Sequence, residues 1–461
     1  MVQSGTTSRV FGETRAERAI AGVFIQQKLG FVDRLFLTGA LRMDASSVFG
    51  VDERLQFYPK ASAAYVVSDE AFWQNSRLGR TLGHFKLRSS IGWSGGLTAI
   101  GPFDRFTNFG PQSYIGQPGL QPSAQLGALN VRPERQRELE VGVDAGLFDR
   151  RLSIEATYYN QNTTDLLLNR SVAPTTGFLN RLQNIGTLRN TGFELMVTAV
   201  PLNQERVRWT SSFIFNTNSN EVSGIEEDVL IFPSSFGLTG AVNGESIGVF
   251  FGSAFERDES GNVLDQNGNI LDRDGDGLYR LRTGTPQEAG DGVPARAAEN
   301  QIIGDPTPDF TASWTNEFVI AQNLRLRAQI DAVYGQDVFN FTRRLAALSA
   351  FGTLEDYQRE LEGDLPSGYT GTTFNIFEHW VEDGSFIKLR ELSLSYTLFP
   401  TQLPVESIRL NLAARNLFSI DSYSGYDPEV NVGGQRTTTR NFDFVEVPIP
   451  RSFSLGATLN F

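Results

Sequence analysis

The sequence predicts an all-β protein, a transmembrane antiparallel β-barrel wall of about thirteen strands. Three observations predict it. Apolar residues recur at every second position in segment after segment. The connections between these segments alternate between short and long. The chain also ends inside such a segment, "RSFSLGATLNF", where Phe453, Leu455, Ala457, Leu459 and Phe461 alternate with Ser454, Gly456, Thr458 and Asn460. Termini usually fray, so a strand that runs to the last residue has to be held by neighbours.

Taken in order, the wall strands are read at about 20–29, 34–44, 56–67, 83–94, 137–147, 151–161, 190–201, 206–217, 309–320, 323–334, 386–398, 407–417 and 451–461. In "RELEVGVDAGLF" the apolar set is Leu139, Val141, Val143, Ala145 and Leu147, against Glu140, Asp144 and Gly146. In "NLRLRAQIDAVYG" it is Leu324, Leu326, Ala328, Ile330, Ala332 and Tyr334, against Arg325, Arg327, Gln329 and Asp331. "ELSLSYTL" sets Leu392, Leu394, Tyr396 and Leu398 against Glu391, Ser393, Ser395 and Thr397, and "SIRLNLAARNLF" sets Ile408, Leu410 and Leu412 against Arg409 and Asn411. Such alternation marks strands with one apolar and one wet face.

Short links stand at 30–33, 148–150, 202–205 and 321–323, and long ones at 95–136, 162–189, 218–308, 335–385 and 418–450. The link at 68–82 is intermediate and 45–55 modest. One rim with tight turns and one with large loops is the asymmetry of an outer-membrane barrel; a soluble sandwich has no reason for it. "GVFFGSAFE" (249–257) is strand-like, but as a crossing strand it would place two long loops in succession, so it belongs inside the 218–308 loop region of a single barrel domain covering 1–461. Phe72, Trp73, Trp93, Tyr158, Tyr159, Trp209, Trp314, Tyr334 and Tyr396 lie in or near strands, several close to strand ends. That suits an interfacial girdle, or equally the packed core of a soluble β-protein.

Composition removes other classes. The 461 residues carry a net charge of −13 and no Cys. An acidic chain does not read as a nucleic-acid binder. Without Cys there is no disulfide, thiolate metal site or Cys nucleophile. No apolar run reaches the length of a membrane-spanning helix, and "MVQSGTTSRV" has no apolar core of a signal peptide. The chain therefore reads as cytosolic or as one whose front end is missing. Mean hydropathy of −0.23 does not decide, because only half of each barrel strand faces lipid.

Candidate chemistry is sparse. "DRDGDG" places Asp272, Asp274 and Asp276 at alternate positions before Gly277, like the first half of a calcium loop, but Thr283 stands where the bidentate Glu belongs. "DQNGN" (265–269) repeats the pattern, and an acidic Gly-rich turn is the other reading. His84 and His379 are the only histidines and lack a ligand-spaced partner, so structural roles are expected. No G-x-S-x-G elbow appears. Glu226, Glu227, Asp228, Asp427 and Glu429 are loop carboxylates, read as solvated surface rather than the facing pair a glycosidase needs. In "YSGYDPEVN" (423–431), Tyr423, Tyr426 and Asp427 either face a ligand or form an Asp-Pro turn. No enzyme is expected and no cofactor, calcium at Asp272, Asp274 and Asp276 being the one open case.

Several stretches, in order and over almost the whole chain, together resemble the SusC/RagA family of TonB-linked outer-membrane transporters. They are "DRLFLTGALRMDASSVFG" (33–50), "FYPKASAAYVVSDEAFW" (57–73), "FKLRSSIGWSG" (85–95), "RQRELEVGVDAGLFDRRLSIEATYYNQNTTDLLL" (135–168), "NIGTLRNTGFELMV" (184–197), "QIIGDPTPDFTASWTNEF" (301–318), "WVEDGSFIKLRELSLSYTL" (380–398), "ARNLFSIDSYSGYDPEV" (414–430) and "PRSFSLGATLNF" (450–461). The resemblance implies a barrel of roughly 22 strands, this chain being its C-terminal portion with the plug domain absent. Phe453, Leu455, Leu459 and Phe461 then resemble the signal read by the outer-membrane assembly machinery. Glu140, Asp144, Glu155, Arg325, Arg327, Asp331, Arg409 and Arg415 would face the lumen. The implied function is TonB-dependent uptake of oligosaccharides or peptides across the outer membrane of a Gram-negative bacterium. The implied partners are a SusD-like surface lipoprotein, outer-membrane lipid, and TonB acting through an absent N-terminal region. A passive porin or siderophore-type receptor would share the wall pattern, and a soluble carbohydrate-binding β-protein is the remoter alternative. For a barrel with its first strands missing, the expectation is an open or strained sheet edge, unless 20–29 closes a smaller barrel on 451–461.

Overall fold

In the computed structural model, described over residues 15–96, 100–232, 238–285, 288, 290–347, 355–434 and 438–461, thirteen strands form one large sheet. They are β1 (Ile20–Phe31), β2 (Leu35–Ser46), β3 (Leu55–Val66), β4 (Leu82–Gly95), β5 (Arg135–Leu147), β6 (Leu152–Thr164), β7 (Thr187–Asn203), β8 (Val207–Ser223), β9 (Phe310–Ile320), β10 (Leu324–Tyr334), β11 (Phe386–Leu398), β12 (Ser407–Asp421) and β13 (Ser452–Asn460). Their spatial order is their chain order, with β1 at one end and β13 at the other. Each strand predicted from the alternation is present. The chief difference is length: β7 and β8 run to 17 residues each, past the predicted ends. The Val249–Phe255 strand lies outside the wall, paired antiparallel with Arg296–Gly304 in the long loop region.

Three of the four short links, at 30–33, 148–150 and 321–323, turn through residues in the left-handed region. Val32 and Asp33 take φ of 51° and 55°, and the Arg34 amide donates to the Phe31 carbonyl at 3.0 Å. Ala321 and Gln322 repeat this, with φ of 50° and 67°. Two successive positive φ values are the mirror-image turn whose twist matches that of the strands it joins. The 68–82 link folds instead into short helices, Ala71–Gln74 and Arg77–Thr81.

Most apolar residues of the wall are exposed or half-buried rather than buried. Leu326, Leu394, Leu412 and Leu455 lie side by side across β10–β13, and Leu324, Tyr396, Leu410 and Ala457 form the next row. The described apolar clusters sit elsewhere, in the connections. One joins Val48, Phe49, Ile100, Ala128, Val131 and Leu182. Another joins Leu238, Phe250, Phe339, Ala347, Trp380 and Phe442, and smaller ones surround Ile376 and Tyr369. A row of leucines that is exposed from Leu394 to Leu455 is stable when hydrocarbon covers it, because burial from water is worth about 25 cal/mol per Å² of apolar surface.

Aromatic residues mark two levels on this face. Trp209 stacks on Phe318 near the tight turns, and Phe310 stacks on Tyr334 at the long-loop end, with Phe215 beside it. Phe310 and Phe318 are eight residues apart on β9, about 20 Å along the membrane normal once the strand is tilted by ~40°. That is close to the ~25 Å apolar band between barrel girdles. Two indoles also satisfy polar groups on this face: Trp209 donates to Asn316 at 3.0 Å and Trp314 to Ser211 at 2.9 Å. The aromatics therefore divide, with girdle residues in the wall and Trp380 in a loop core.

The chain forms two compact units. The first comprises Met1–Val197, Asn218–Pro233 and Val242–Glu245; the second comprises Thr198–Thr217, Ser234–Ala241 and Ser246–Phe461.

Candidate functional site

The chemistry-bearing side chains collect on the wet face of the wall and in the folded long loops. In the first unit, Asp144 on β5 accepts from Lys86 at 2.8 Å and Arg88 at 2.9 Å, both on β4. Arg88 reaches on to the Thr157 hydroxyl of β6, and Ser90 donates to Glu140 at 3.0 Å. Glu155 stands opposite Asp144 across β5 and β6. Glycine makes room for this ladder: a side chain at Gly142 would run into the Arg88 guanidinium.

In the second unit, Arg325 lies 3.8 Å from Glu317, Arg327 donates to Gln329 at 3.3 Å, and Arg415 donates to Glu391 at 3.1 Å. Arg409 lies between Thr397 and Thr458 in the register. Asp331 accepts from Ser313, Gln329 and Arg390 at 2.8, 3.1 and 2.8 Å.

Arg390 was not among the sequence candidates, nor were Lys86, Arg88 and Lys388. It is the extra residue of a β-bulge: Leu389 pairs with Ile330 and Phe418, and Glu391 pairs with Gln329 and Arg415. A bulge bends its strand and re-aims a side chain. Here it shifts the phase, so that Lys388, Arg390, Glu391 and Ser393 share the wet face. Lys388 is buried and bonded to Asp427, and also donates to Glu429 at 2.7 Å. Arg390 grips both oxygens of Glu429, each at 2.8 Å. Burial pushes the Glu429 carboxyl up, but its bonds to Arg390 and Lys388 outweigh this and hold it below the usual carboxylate range. The Asp-Pro segment is thus latched to β11. Asp427 and Tyr423 are both buried, and Tyr423 donates to Asp443 at 2.7 Å. Of the three candidates in that segment, only Tyr426 is exposed, at 86 %. The sequence signal was a rare Lys inside an apolar alternation, "FIKLREL".

The acidic motif folds into repeated hairpin turns. The amides of Asp258, Asp265 and Asp274 donate to the carbonyls of Asn262, Asn269 and Leu278 at 3.0, 2.9 and 2.8 Å. Gly261, Gly268 and Gly277 follow at φ of 83°, 86° and 82°. Carboxylates within each turn accept backbone amides, as Asp and Asn do in tight turns. Asp272 is taken by Arg282, with contacts of 2.8 to 3.1 Å, Asp274 by Arg280, and Asp276 by Arg280 at 2.8 Å and Arg359 at 2.9 Å. The Arg282 bond holds the Asp272 carboxyl below its ordinary range. Among the described residues, no group of three or more His, Asp or Glu side chains is arranged to hold a metal ion.

His379 is buried among Phe255, Tyr369 and Trp380, its Nε2 without a hydrogen-bond partner, and burial pulls its pKa down to about 3. His84 sits in β4 opposite Gly146. Glu226 and Glu227 share Arg170. Asp337, facing Asp383 across a short loop ladder, is raised to about 6 by burial, and its carboxylate accepts the Asp305 amide at 2.8 Å.

The two-faced wall and its folded loops can now be set beside known proteins. The sequence model of the family described as "TonB dependent receptor-like, beta-barrel" matches residues 3–417. The chain belongs to the TonB-dependent receptor β-barrel family. TonB-dependent receptor P3 of Formosa agariphila is 27 % identical over 491 aligned positions, covering 96 % of this chain and 46 % of its own length. TonB-dependent receptor SusC of Bacteroides thetaiotaomicron is 24 % identical, covering 96 % and 44 %. The chain therefore spans about half the length of these curated relatives. Among solved structures, the RagAB peptide transporter aligns over 100 % of this chain and 50 % of that one, with a TM-score of 0.76 at 23 % identity. That likeness shows a shared fold. A TonB-dependent receptor wall is not an enzyme scaffold, and its chemistry is charge and hydroxyl placement on the wet face.

Proposed function

We propose that the protein imports large hydrophilic nutrients, oligosaccharides or peptides, across the outer membrane of a Gram-negative bacterium. TonB energises the step, this chain supplies part of the barrel wall, and a SusD-like surface lipoprotein engages the long-loop rim. One observation carries the reading: the wall is apolar and uncovered on one face and laddered with Lys, Arg, Asp and Glu on the other. Hydrocarbon suits the first face and a water-filled passage the second. One protein of similar fold, the RagAB peptide transporter, carries one of these two cargo classes in its name.

The same reading gives Phe453, Leu455, Leu459 and Phe461 a role in assembly, since all four are exposed at the end of the sheet order. Deleting Phe461 then lowers the amount inserted in the outer membrane, and unchanged insertion removes that role. For the function, disrupting the gene should abolish growth on the polymeric nutrient while sparing growth on its monomer. The tagged protein should be membrane-bound and bring down a surface lipoprotein. Recovery of the folded chain from the soluble fraction, or unimpaired growth with no lipoprotein partner, overturns the proposal.

A further inference from the structure

We infer that the apolar, outward face of the wall carries, at its long-loop end, a binding site for the phosphate groups of an anionic outer-leaflet lipid, built by Arg135, Arg137 and Arg189. Alternation and register separate the outward from the wet positions of β1–β7. The outward positions are apolar or neutral with three exceptions: Arg135 and Arg137 on β5 and Arg189 on β7. These seven strands turn no carboxylate outward, although the chain carries a net charge of −13. Their acidic residues Glu138, Glu140, Asp144, Glu155 and Glu194 all lie on the wet face. The three arginines are exposed, and among the described residues none has an ion-pair partner. Glu221, which β8 turns outward, is paired with none of them. Like charges gathered on a face without counter-charge attract anions.

The arginines share one level of the wall. Arg137 stands between Trp93 and Asn162 in the register, and Arg135 between Gly95 and Thr164. Asn190, next to Arg189, donates to Gln161 at 3.2 Å, which brings Arg189 level with Asn162. Below them on the same face come Leu139, Tyr158 and Phe193, all exposed. The guanidinium groups therefore stand where the apolar band ends, beside Trp93, at the depth where interfacial aromatics and headgroups meet. Their alkyl stems can lie along the apolar surface while the charge reaches the headgroups. Strands β5 and β7 are two strand spacings apart, about 10 Å. Asn160 and Asn162 on β6 fill the interval, Asn162 donating to Asn160 at 3.2 Å. A guanidinium grips a phosphate through two parallel N–H donors, so the spacing suits a headgroup with more than one phosphate. Strands β5, β6 and β7 are each paired on both sides. Further strands at either end of the sheet order extend the wall sideways and leave this face uncovered. An acidic peptide fits less well, because peptides add to free strand edges or fill apolar pockets.

This assignment rests on the reading that the apolar face of the wall meets lipid, and its test is lipid binding rather than uptake. The full chain in dodecyl maltoside micelles is titrated with diphosphoryl lipid A and with the same lipid stripped of its phosphates, bound lipid being counted by native mass spectrometry. Inorganic phosphate and polyglutamate are added as competitors. The phosphorylated lipid is expected to bind on the order of tenfold more tightly than the stripped one, with little displacement by either competitor. The Arg135→Gln/Arg137→Gln/Arg189→Gln variant should lose that preference, while Arg135→Lys/Arg137→Lys/Arg189→Lys retains most of it; circular dichroism checks that both are folded. If the Gln variant does not fold, the comparison of the two lipids on the unaltered chain decides. Equal binding of the two lipids, or an unchanged preference in a folded Gln variant, overturns the inference. Displacement by inorganic phosphate overturns it in favour of a free anion, and displacement by polyglutamate in favour of an acidic protein segment. A chain held in micelles without phosphate preference counts against this inference alone, whereas a chain that stays folded and monomeric without detergent counts against the membrane reading beneath it.

Discussion

Lys388 shows how much one residue decides. A buried ammonium is tolerable only because Asp427 and Glu429 meet it, and Glu429 in turn has Arg390. Breaking such a group by removing one partner costs about 3–5 kcal/mol, far more than the intact network contributes. Asp427→Asn is therefore expected to release the 418–451 segment to limited proteolysis at the exposed Tyr426, while Lys388→Met/Asp427→Leu largely restores protection. Unchanged digestion of Asp427→Asn would show the latch to be idle. The pH dependence has a definite sign. Glu429 is depressed in the folded protein, so its contribution is present above the ordinary Glu range and is lost as pH falls through its folded value. His379, ordinarily near 6.5, falls to about 3, so its neutral form favours folding above 6.5 and that advantage is lost as pH drops from 6.5 towards 3. Asp337, raised to about 6, acts oppositely and favours the folded state as pH drops from about 6 towards 4. His379→Leu should remove a slope of up to about 1.4 kcal/mol per pH unit between those limits, read from denaturant midpoints at several pH values.

At the scale of elements, the bulge at Arg390 and the repeated Asp-Gly turns are the devices that place side chains. A left-handed residue other than Gly costs about 1–2 kcal/mol, so Gly268→Ala should lower the melting temperature of the loop region measurably. Since Asp272, Asp274 and Asp276 are held by Arg282, Arg280 and Arg359, added calcium is expected to leave that temperature unchanged. A rise with calcium, reversed by a chelator, would return these carboxylates to metal binding. The wall strands make a sharper contrast. Leu394→Arg puts a charge in the middle of the apolar face and should cost about 2–4 kcal/mol of bilayer folding. Ser393→Arg, one residue away on the wet face, should cost almost nothing. Folding yields into lipid vesicles compare the two directly, and equal yields would mean that the leucine rows do not meet lipid.

For the whole molecule, among the described residues, the clusters of buried apolar side chains belong to the loops, and the wall relies on its surroundings for cover. Strands β1 and β13, at the two ends of the sheet order, are exposed along every residue. Unpaired strand edges have no place in hydrocarbon, and the chain spans about half the length of its curated relatives. The purified chain is accordingly expected to keep its β-sheet circular dichroism in detergent micelles and to aggregate when detergent is removed. A monomer that stays folded without detergent would contradict the membrane assignment of the wall.

The wall was legible because each strand repeats one local rule. Period-2 alternation needs no knowledge of partners, and it located β1 to β13; the segment 249–257 was legible only as strand-like, and the strand there is Val249–Phe255. The sparing, oriented charges Glu140, Asp144 and Asp331 were legible for the same reason. Tertiary structure alone joined Lys388 and Arg390 to Glu429, 41 and 39 residues away, and the unpaired bulge residue Arg390 leaves no period to detect. It also decided that the aspartates of "DRDGDG" meet arginines, and that three lysines spread over residues 28 to 86 share one concavity. Local backbone geometry writes itself into spacing along the chain. Pairing between distant charges is written only in the register that brings their strands together.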